Sequence, residues 1–425
     1  MSSSHLSSSA GTVAQVVSFE VARHLVEQHA VGLCPGEIET VDLLAALGRV
    51  LAEGIVADRD FPPFDRATRD GYAVRAADLT EVPARLEVVG EVKAGDWPEP
   101  GVCSVGHRQA VGIMTGAPLP AGADAVVMVE HTSLLAAGHT VEVRRSVSGG
   151  ENFVPRGAEA RAGQRLLDRG RRLDHADIAI AASVGKSRVQ VFRKPRVAVL
   201  STGDEVVEID ATPGLAQIRN SNSYSLAAQV RNAGGEAVRL GIAPDERGRL
   251  RSLIEEGLGC DLLLLTGGVS MGKYDLVEQV LGELKAEFYF TGAEIQPGRP
   301  VVFGVCGTCG SGAKKYFFGL PGNPVSTMVT FELFARPMTE ALAGMTPQRL
   351  IFVRARLKSE IRTKTGLKRF LPAVLSGEFE NAEVELARWQ GSGDIAALAQ
   401  ANCYVVIPPE RERMEAGEWV PLLMR

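Results

Sequence analysis

Apolar and polar positions change period several times along this 425-residue chain, and each change marks a different kind of element. From about Ser18 to Arg49 the spacing is helical. "VSFEVARHLVEQ" puts Val17, Val21, Leu25 and Val26 on one stripe, and "VDLLAALGRVLAEG" repeats the pattern. Between about Asp60 and Arg145 short β-rich runs ("RLEVVGEV", "AVVMVEH", "TVEVRRSV") alternate with glycine and proline, which predicts a small all-β module. A Gly/Arg/Ala-rich linker follows, then a helical "LDHADIAIAASVG". From Arg196 to about Gly344 apolar strands such as "RVAVLS", "EAVRLGI" and "DLLLL" are separated by helices such as "SNSYSLAAQVRNAGG" and "DERGRLRSLIEEGLG". That alternation predicts a parallel sheet covered on both faces. From about Pro347 the texture is β again, ending in "CYVVIPP" and "WVPLLM".

The expected fold class is therefore multidomain α/β plus β. A Ser-rich leader (1–17), read as disordered, precedes a helical and linker body (18–52 with 145–186). An all-β domain (53–144), an α/β domain (187–344) and a C-terminal β domain (345–425) complete the division.

Composition narrows the function. With 45% hydrophobic and 23% charged residues the chain has the balance of an ordinary globular protein. No run reaches the roughly 18 apolar residues of a membrane helix. The start lacks a basic, then apolar, secretory signal, so a cytoplasmic protein is expected. A net charge of −5 argues against a broad nucleic-acid footprint, and "RGRR" at 169–172 reads as solvated surface. Among the six cysteines only Cys306 and Cys309 show C-x-x-C spacing. They are flanked by two strand-like runs, with no histidine downstream, so a glycine-rich hairpin is favoured over a metal site.

The chemistry concentrates where strands end. "VAVLSTGDE" supplies Ser201, Thr202, Gly203, Asp204 and Glu205. "LLLLTGGVSMGKYD" supplies Thr266, Gly267, Gly268, Ser270 and Asp275, and "FFGLPGNPVST" supplies Pro321, Gly322, Asn323 and Pro324. In a parallel sheet these loops share one edge, where glycine lets backbone N–H groups approach a ligand and helix starts favour anions. None is a P-loop or a dinucleotide fingerprint. Glu205, Asp275 and Asp245, the last following "RLGIAP", would repel a phosphate. Two arrangements offset that charge: magnesium bridging acid and phosphate, or an amide-like ring edge donating to a carboxylate. Asp245 reads equally well as a helix cap. A second dense segment, "DFPPFDRATRDGYAVR", carries Asp65 and Asp70 beside Arg66 and Arg69, and "IMTGAPLPAGADAVVMVE" adds Thr115 and Gly116.

These segments, with "QPGRPVVFG" and "GSGD" at 391–394, occur in the order found in the molybdopterin molybdenumtransferase family, which the chain resembles from about residue 18 to its C-terminus. The resemblance implies a four-domain homodimer in which the all-β module of one subunit faces the sheet domain of the other. The implied reaction inserts molybdate into adenylylated molybdopterin (molybdopterin-AMP), with Mg2+, and releases AMP. By motif, Asp65 and Thr115 belong to the β module's side of that site, and Glu205, Asp245 and Asp275 to the metal side. Ser201, Thr202, Gly203, Asp245, Thr266, Gly267, Gly268, Ser270 and the Pro321–Pro324 turn would hold the pterin ligand. Arg299, Pro300 and Ser392 would approach molybdate. Other molybdenum cofactor enzymes are the implied partners.

The chain departs from the family at "QPGRP", where Gln296 and Arg299 stand in place of lysines, and at Pro372, where a basic residue is expected. Lys368 or Arg369 is then left to supply charge. Two other readings accompany the main one: a pterin-binding scaffold without turnover, and a molybdopterin adenylyltransferase, against which the extra β modules argue.

Overall fold

The computed structural model describes residues 15–97, 103–135, 138–268, 276–307, 314–346 and 348–425. The chain forms two compact units. One comprises the chain up to Ala52, Gly170–Asp174 and Val189–Arg425; the other comprises Glu53–Arg169 and His175–Arg188.

The first unit opens with a two-residue strand, Val16–Val17, paired with Gly292–Ala293, and then helix α1 (Phe19–Val31). Ser18 is the N-cap, its Oγ accepting from Val21 N at 3.3 Å. Val17 and Val26 of the expected stripe are buried and Leu25 is half-buried against the same core, whereas Val21 is exposed and Phe19, Ala22, Arg23 and Ala30 complete the buried face. The reason is tertiary: Phe19 sits against Phe334 and Phe370, ring centroids 6.1 and 5.2 Å away, and that contact sets the helix's rotation. "VDLLAALGRVLAEG" is not a second helix. Ile38–Asp42 is a strand, a single 3-10 turn spans Leu43–Ala46, and Gly48 at φ 74° ends it.

The α/β body follows as β1 (Arg196–Thr202), α2 (Ser221–Asn232), β2 (Glu236–Ala243), α3 (Arg247–Leu258), β3 (Leu262–Thr266) and α4 (Leu276–Glu283). It continues with β4 (Ala286–Phe290), β5 (Val302–Gly307), β6 (Lys314–Leu320), α5 (Pro324–Thr330) and α6 (Arg336–Leu342). A π-helical turn, Phe331–Ala335, joins α5 to α6. The sheet order is β2-β1-β3-β6-β5-β4. The first four strands are parallel; β5 and β4 add antiparallel pairs. The four leucines of β3 show why both faces are covered. Leu262 and Leu264 enter one core with Val197, Val199 and Phe318, while Leu263 and Leu265 enter another with Ala198, Leu200 and Phe317. At about 1.5–3 kcal/mol for each fully buried leucine, this strand is firmly anchored.

β2 lies on one side of β1 and β3 on the other, so the strand order reverses between the carboxyl ends of β1 and β3. Sheets of this kind open a ligand crevice at that point. The C-terminal part is a barrel-like sheet. Lys368–Ser376, Glu383–Leu386, Phe352–Leu357, Trp419–Met424 and Cys403–Ile407 follow one another, and the last pairs back with the first. Ile295–Gln296 joins its rim, parallel to Lys368–Arg369. Cys306 lies on β5 rather than in the hairpin loop, buried, with its thiol pushed up to about 11 by that burial; Cys309 lies outside the described residues.

The second unit is built on a six-stranded sheet ordered Ala125–Met128, Gly71–Val74, Gln109–Ile113, Ala84–Val92, Thr140–Val143 and Thr132–Leu134. Its two faces carry separate apolar clusters, around Leu86 and Val127 on one and around Val111 and Val126 on the other. His175–Ser183 is its helix. Among the described residues, no helix is long and apolar enough to cross a membrane.

Candidate functional site

The crevice at the strand-order reversal is a cleft of about 380 Å³. Its wall contains Ser201, Thr202 and Glu205 after β1, Thr266, Gly267 and Gly268 after β3, and Pro321, Gly322, Asn323 and Pro324 after β6, with Pro300 beside them. The three glycine-bearing loops expected at one rim therefore do converge. Gly203 belongs to the same loop as Thr202. Ser270 and Asp275 lie outside the described residues.

Backbone conformation explains the glycines. Gly267 and Gly268 have φ of 87° and 60°, a left-handed region that side chains disfavour. A Cβ on Gly267 would lie 2.5 Å from the Thr202 carbonyl oxygen, and one on Gly268 2.7 Å from Thr202 Oγ1. The loop after β3 therefore passes against the end of β1 with no space for a side chain.

Residues from the start of α2 also line this cleft: Arg219, Asn220, Ser221 and Asn222. By sequence, "SNSYS" marks only a helix start. Asn220 does cap α2, its Oδ1 accepting from Ser223 N at 3.2 Å and from Ser201 Oγ at 2.8 Å. Asn222 Nδ2 donates to Thr266 Oγ1 at 2.9 Å and to the Gly322 carbonyl at 2.7 Å, tying α2 to the other two loops. The sequence signal for them is the Asn-x-Asn at the helix start.

The acids are arranged unevenly. Glu205 lines the cleft, and the Asp245 backbone N–H donates to Asp204 Oδ1 at 3.0 Å. Asp245 does not cap α3, since Glu246 holds the N-cap position without a side-chain bond. Burial, and then the neighbouring carboxylates of Asp204 and Glu205, push the Asp245 carboxyl above its ordinary range. A cation beside these acids would relieve that repulsion. Among the described residues no three His, Cys, Asp or Glu stand together as a metal-holding group.

A second cleft of about 650 Å³ adjoins the first and shares Pro300, Pro321 and Asn323 with it. Arg299 and Ser392 line it, and so do Lys364 and Arg369. The pairing of Gln296 with Arg369 carries this part of the barrel to the α/β body, and Val325 N donates to the Ser392 carbonyl at 3.0 Å. Neighbours on a strand face opposite ways. Lys368 turns to Glu20 and the Phe19 ring, while Arg369 turns inward to the cleft. Arg369 is only 6% exposed, and its guanidinium donates to the Leu367 carbonyl at 3.0 Å. No carboxylate pairs with it among the described residues, and burial lowers its pKa. A buried cation without a counter-charge is costly to the fold.

Asp65 and Thr115 belong to the second unit. Asp65 Oδ1 accepts from Arg156 N at 2.8 Å, and Thr115 N donates to Asp70 Oδ1 at 2.6 Å. The Thr115 hydrogen bonds hold the Asp70 carboxyl below the usual range. Both acids thus brace the turns of their own module.

Family models match almost the whole chain: "MoeA N-terminal region (domain I and II)" over residues 17–185, "Probable molybdopterin binding domain" over 198–341, and "MoeA C-terminal region (domain IV)" over 354–424. A protein of Nostoc sp. named molybdopterin molybdenumtransferase is 35% identical over 396 residues, covering 91% of this chain and 88% of its own. One of the same name from Bacillus subtilis is 34% identical, with 92% and 90% covered. Among solved structures, a molybdopterin biosynthesis moeA protein from Pyrococcus horikoshii OT3 aligns over 97% of this chain and 100% of its own. Its TM-score is 0.76 at 30% identity.

Proposed function

Because the chain belongs to the molybdopterin molybdenumtransferase family, we propose that it inserts molybdate into adenylylated molybdopterin and releases AMP. One observation carries the reading: two adjoining clefts, one walled by glycine loops and one lined by Arg299, Lys364 and Arg369, share a wall at Pro300, Pro321 and Asn323. The glycine-walled cleft suits the phosphorylated pterin and its adenylate. The cationic cleft, with Arg299, Lys364 and Arg369 beside Ser392, suits the molybdate dianion.

No protein nucleophile is required. In this reading the chain's residues hold molybdate next to the bound pterin, and guanidinium and backbone N–H groups balance negative charge while a water oxygen attacks the adenylyl phosphorus, the pterin phosphate leaves and AMP is released. Glu205, with Asp245 and Asp275, would hold magnesium, which when bound neutralises phosphate charge. The working form is proposed to be a cytoplasmic homodimer. In it, Asp65 and Thr115 of one subunit would serve the cleft of the other, and other molybdenum cofactor enzymes would supply the substrate or take the product.

The test is AMP release from adenylylated molybdopterin with magnesium and molybdate. Release is expected, abolished by Glu205→Ala with the fold retained. No release from the wild type would remove the proposal.

A further inference from the structure

Arg23, on α1, is a buried cation that lines neither cleft. It is 7% exposed, and its Nε donates to Glu27 Oε1 at 2.6 Å. Its Nη1 donates to the Leu333 carbonyl at 2.5 Å, across 310 residues of chain.

Pro337 explains why that carbonyl takes a donor from another helix. An α-helix would bond the carbonyl of Leu333 to the N–H of residue 337, and proline has none. The proline ring also crowds the carbonyl four residues before it, and the helix opens into the π-turn Phe331–Ala335 just ahead of Pro337. Arg23 supplies a donor at the interruption.

The segment held in this way supports the anion cleft. α5, which runs into the π-turn, carries Ser326 on the cleft wall. Thr330, its last residue, is fully buried and packs against Gly298, where at φ 105° a Cβ would lie 2.4 Å from Thr330 Cγ2. Arg299 is the next residue and lines the same cleft. Among the described residues, the glycine-walled cleft meets α5 only at Pro324, the end furthest from Leu333.

We propose that Arg23 is a positioning residue of the anion cleft: by holding the Leu333 carbonyl it fixes the line of α5, and with it the seat of Gly298 and the reach of Arg299. This rests on the molybdate reading of that cleft given above. A shift of about 1 Å, far from the reacting atoms, can cost about 100-fold in rate.

The experiment follows AMP release from adenylylated molybdopterin by the full chain, with magnesium and a molybdate series, for wild type, Arg23→Met and Arg23→Lys. In Arg23→Met the molybdate needed for half-maximal release should rise about tenfold, while the maximal rate and AMP affinity stay within about twofold. Lysine can still donate to the carbonyl and should recover most of the loss. A merely structural role would shrink the folded fraction, lowering the maximal rate and leaving the half-maximal concentration where it was. Should Arg23→Met fail to fold, Pro337→Ala reads the same link from its other side. It gives the Leu333 carbonyl an N–H within the helix in place of Arg23, and should shift the molybdate dependence likewise. An unchanged half-maximal concentration, an AMP affinity that falls in step with it, or a lysine variant no better than methionine overturns the role of Arg23 alone. A wild type whose AMP release ignores molybdate overturns the cleft's reading, and the proposal with it.

Discussion

Replacing Gly267 with alanine tests whether the rim of the cleft is built as described. The residue sits at φ 87°, and an added Cβ would lie 2.5 Å from the Thr202 carbonyl oxygen. That oxygen is backbone of the adjacent strand, where Ser201 pairs with Thr266, so no rotamer change can relieve the contact. A left-handed conformation costs an L-residue about 1–2 kcal/mol, and forcing an extra methyl into packed structure about 1–3 more. The total is roughly 2–5 kcal/mol, or about 4–20 °C in melting temperature at 2–4 °C per kcal/mol for a unit of this size. Gly322 should move as well, since its Cβ direction ends 3.5 Å from the Gly267 Cα, and AMP affinity should fall with it. The companion is Gly282→Ala. It lies on α4 with open space where the Cβ would go, and should stabilise by about 0.5–1 kcal/mol. Calorimetric melts and AMP titrations of both variants decide the matter. A Gly267→Ala protein that melts and binds as wild type would refute the close approach of the two strand ends.

Arg369→Met should leave the melting temperature unchanged or raise it, because it removes a buried cation with no acidic partner among the described residues. The molybdate needed for half-maximal AMP release should rise about tenfold or more, the scale of one charged hydrogen bond, while Lys368→Met leaves it unchanged. An unaltered molybdate dependence in Arg369→Met would remove Arg369 from the anion site. His29 stacks on Tyr289 with ring centroids 4.1 Å apart, and its pKa is lowered by burial first and then by the Lys314 charge. The unfolded chain therefore takes up the proton at the higher pH. Stability should fall as pH drops from about 6.5 through the lowered value, with no further change below it. Melting curves between about pH 7.5 and 5 should show this slope in the wild type and a flatter one in His29→Gln; equal slopes would count against it.

Much of this protein is local information. The βα alternation, the leucine strand and the glycine-bearing strand ends follow from hydrophobic period and turn chemistry within a dozen residues, so the crevice at one sheet edge could be anticipated from "LSTGDE", "LLTGG" and "GLPGNP". What only tertiary structure decided is which way side chains face once distant segments pair. The rotation of α1 was set by Phe334 and Phe370, rings far along the chain from Phe19. The assignment of Arg369 rather than Lys368 to the cationic cleft depends on the register Gln296↔Arg369. Shifting that register by one would exchange the two side chains. The donor role of Asn222 Nδ2 toward Thr266 and Gly322 is likewise settled only where the three loops meet. Hydrogen-bond direction is a property of partners brought together in space, and a linear string of residue types does not contain it.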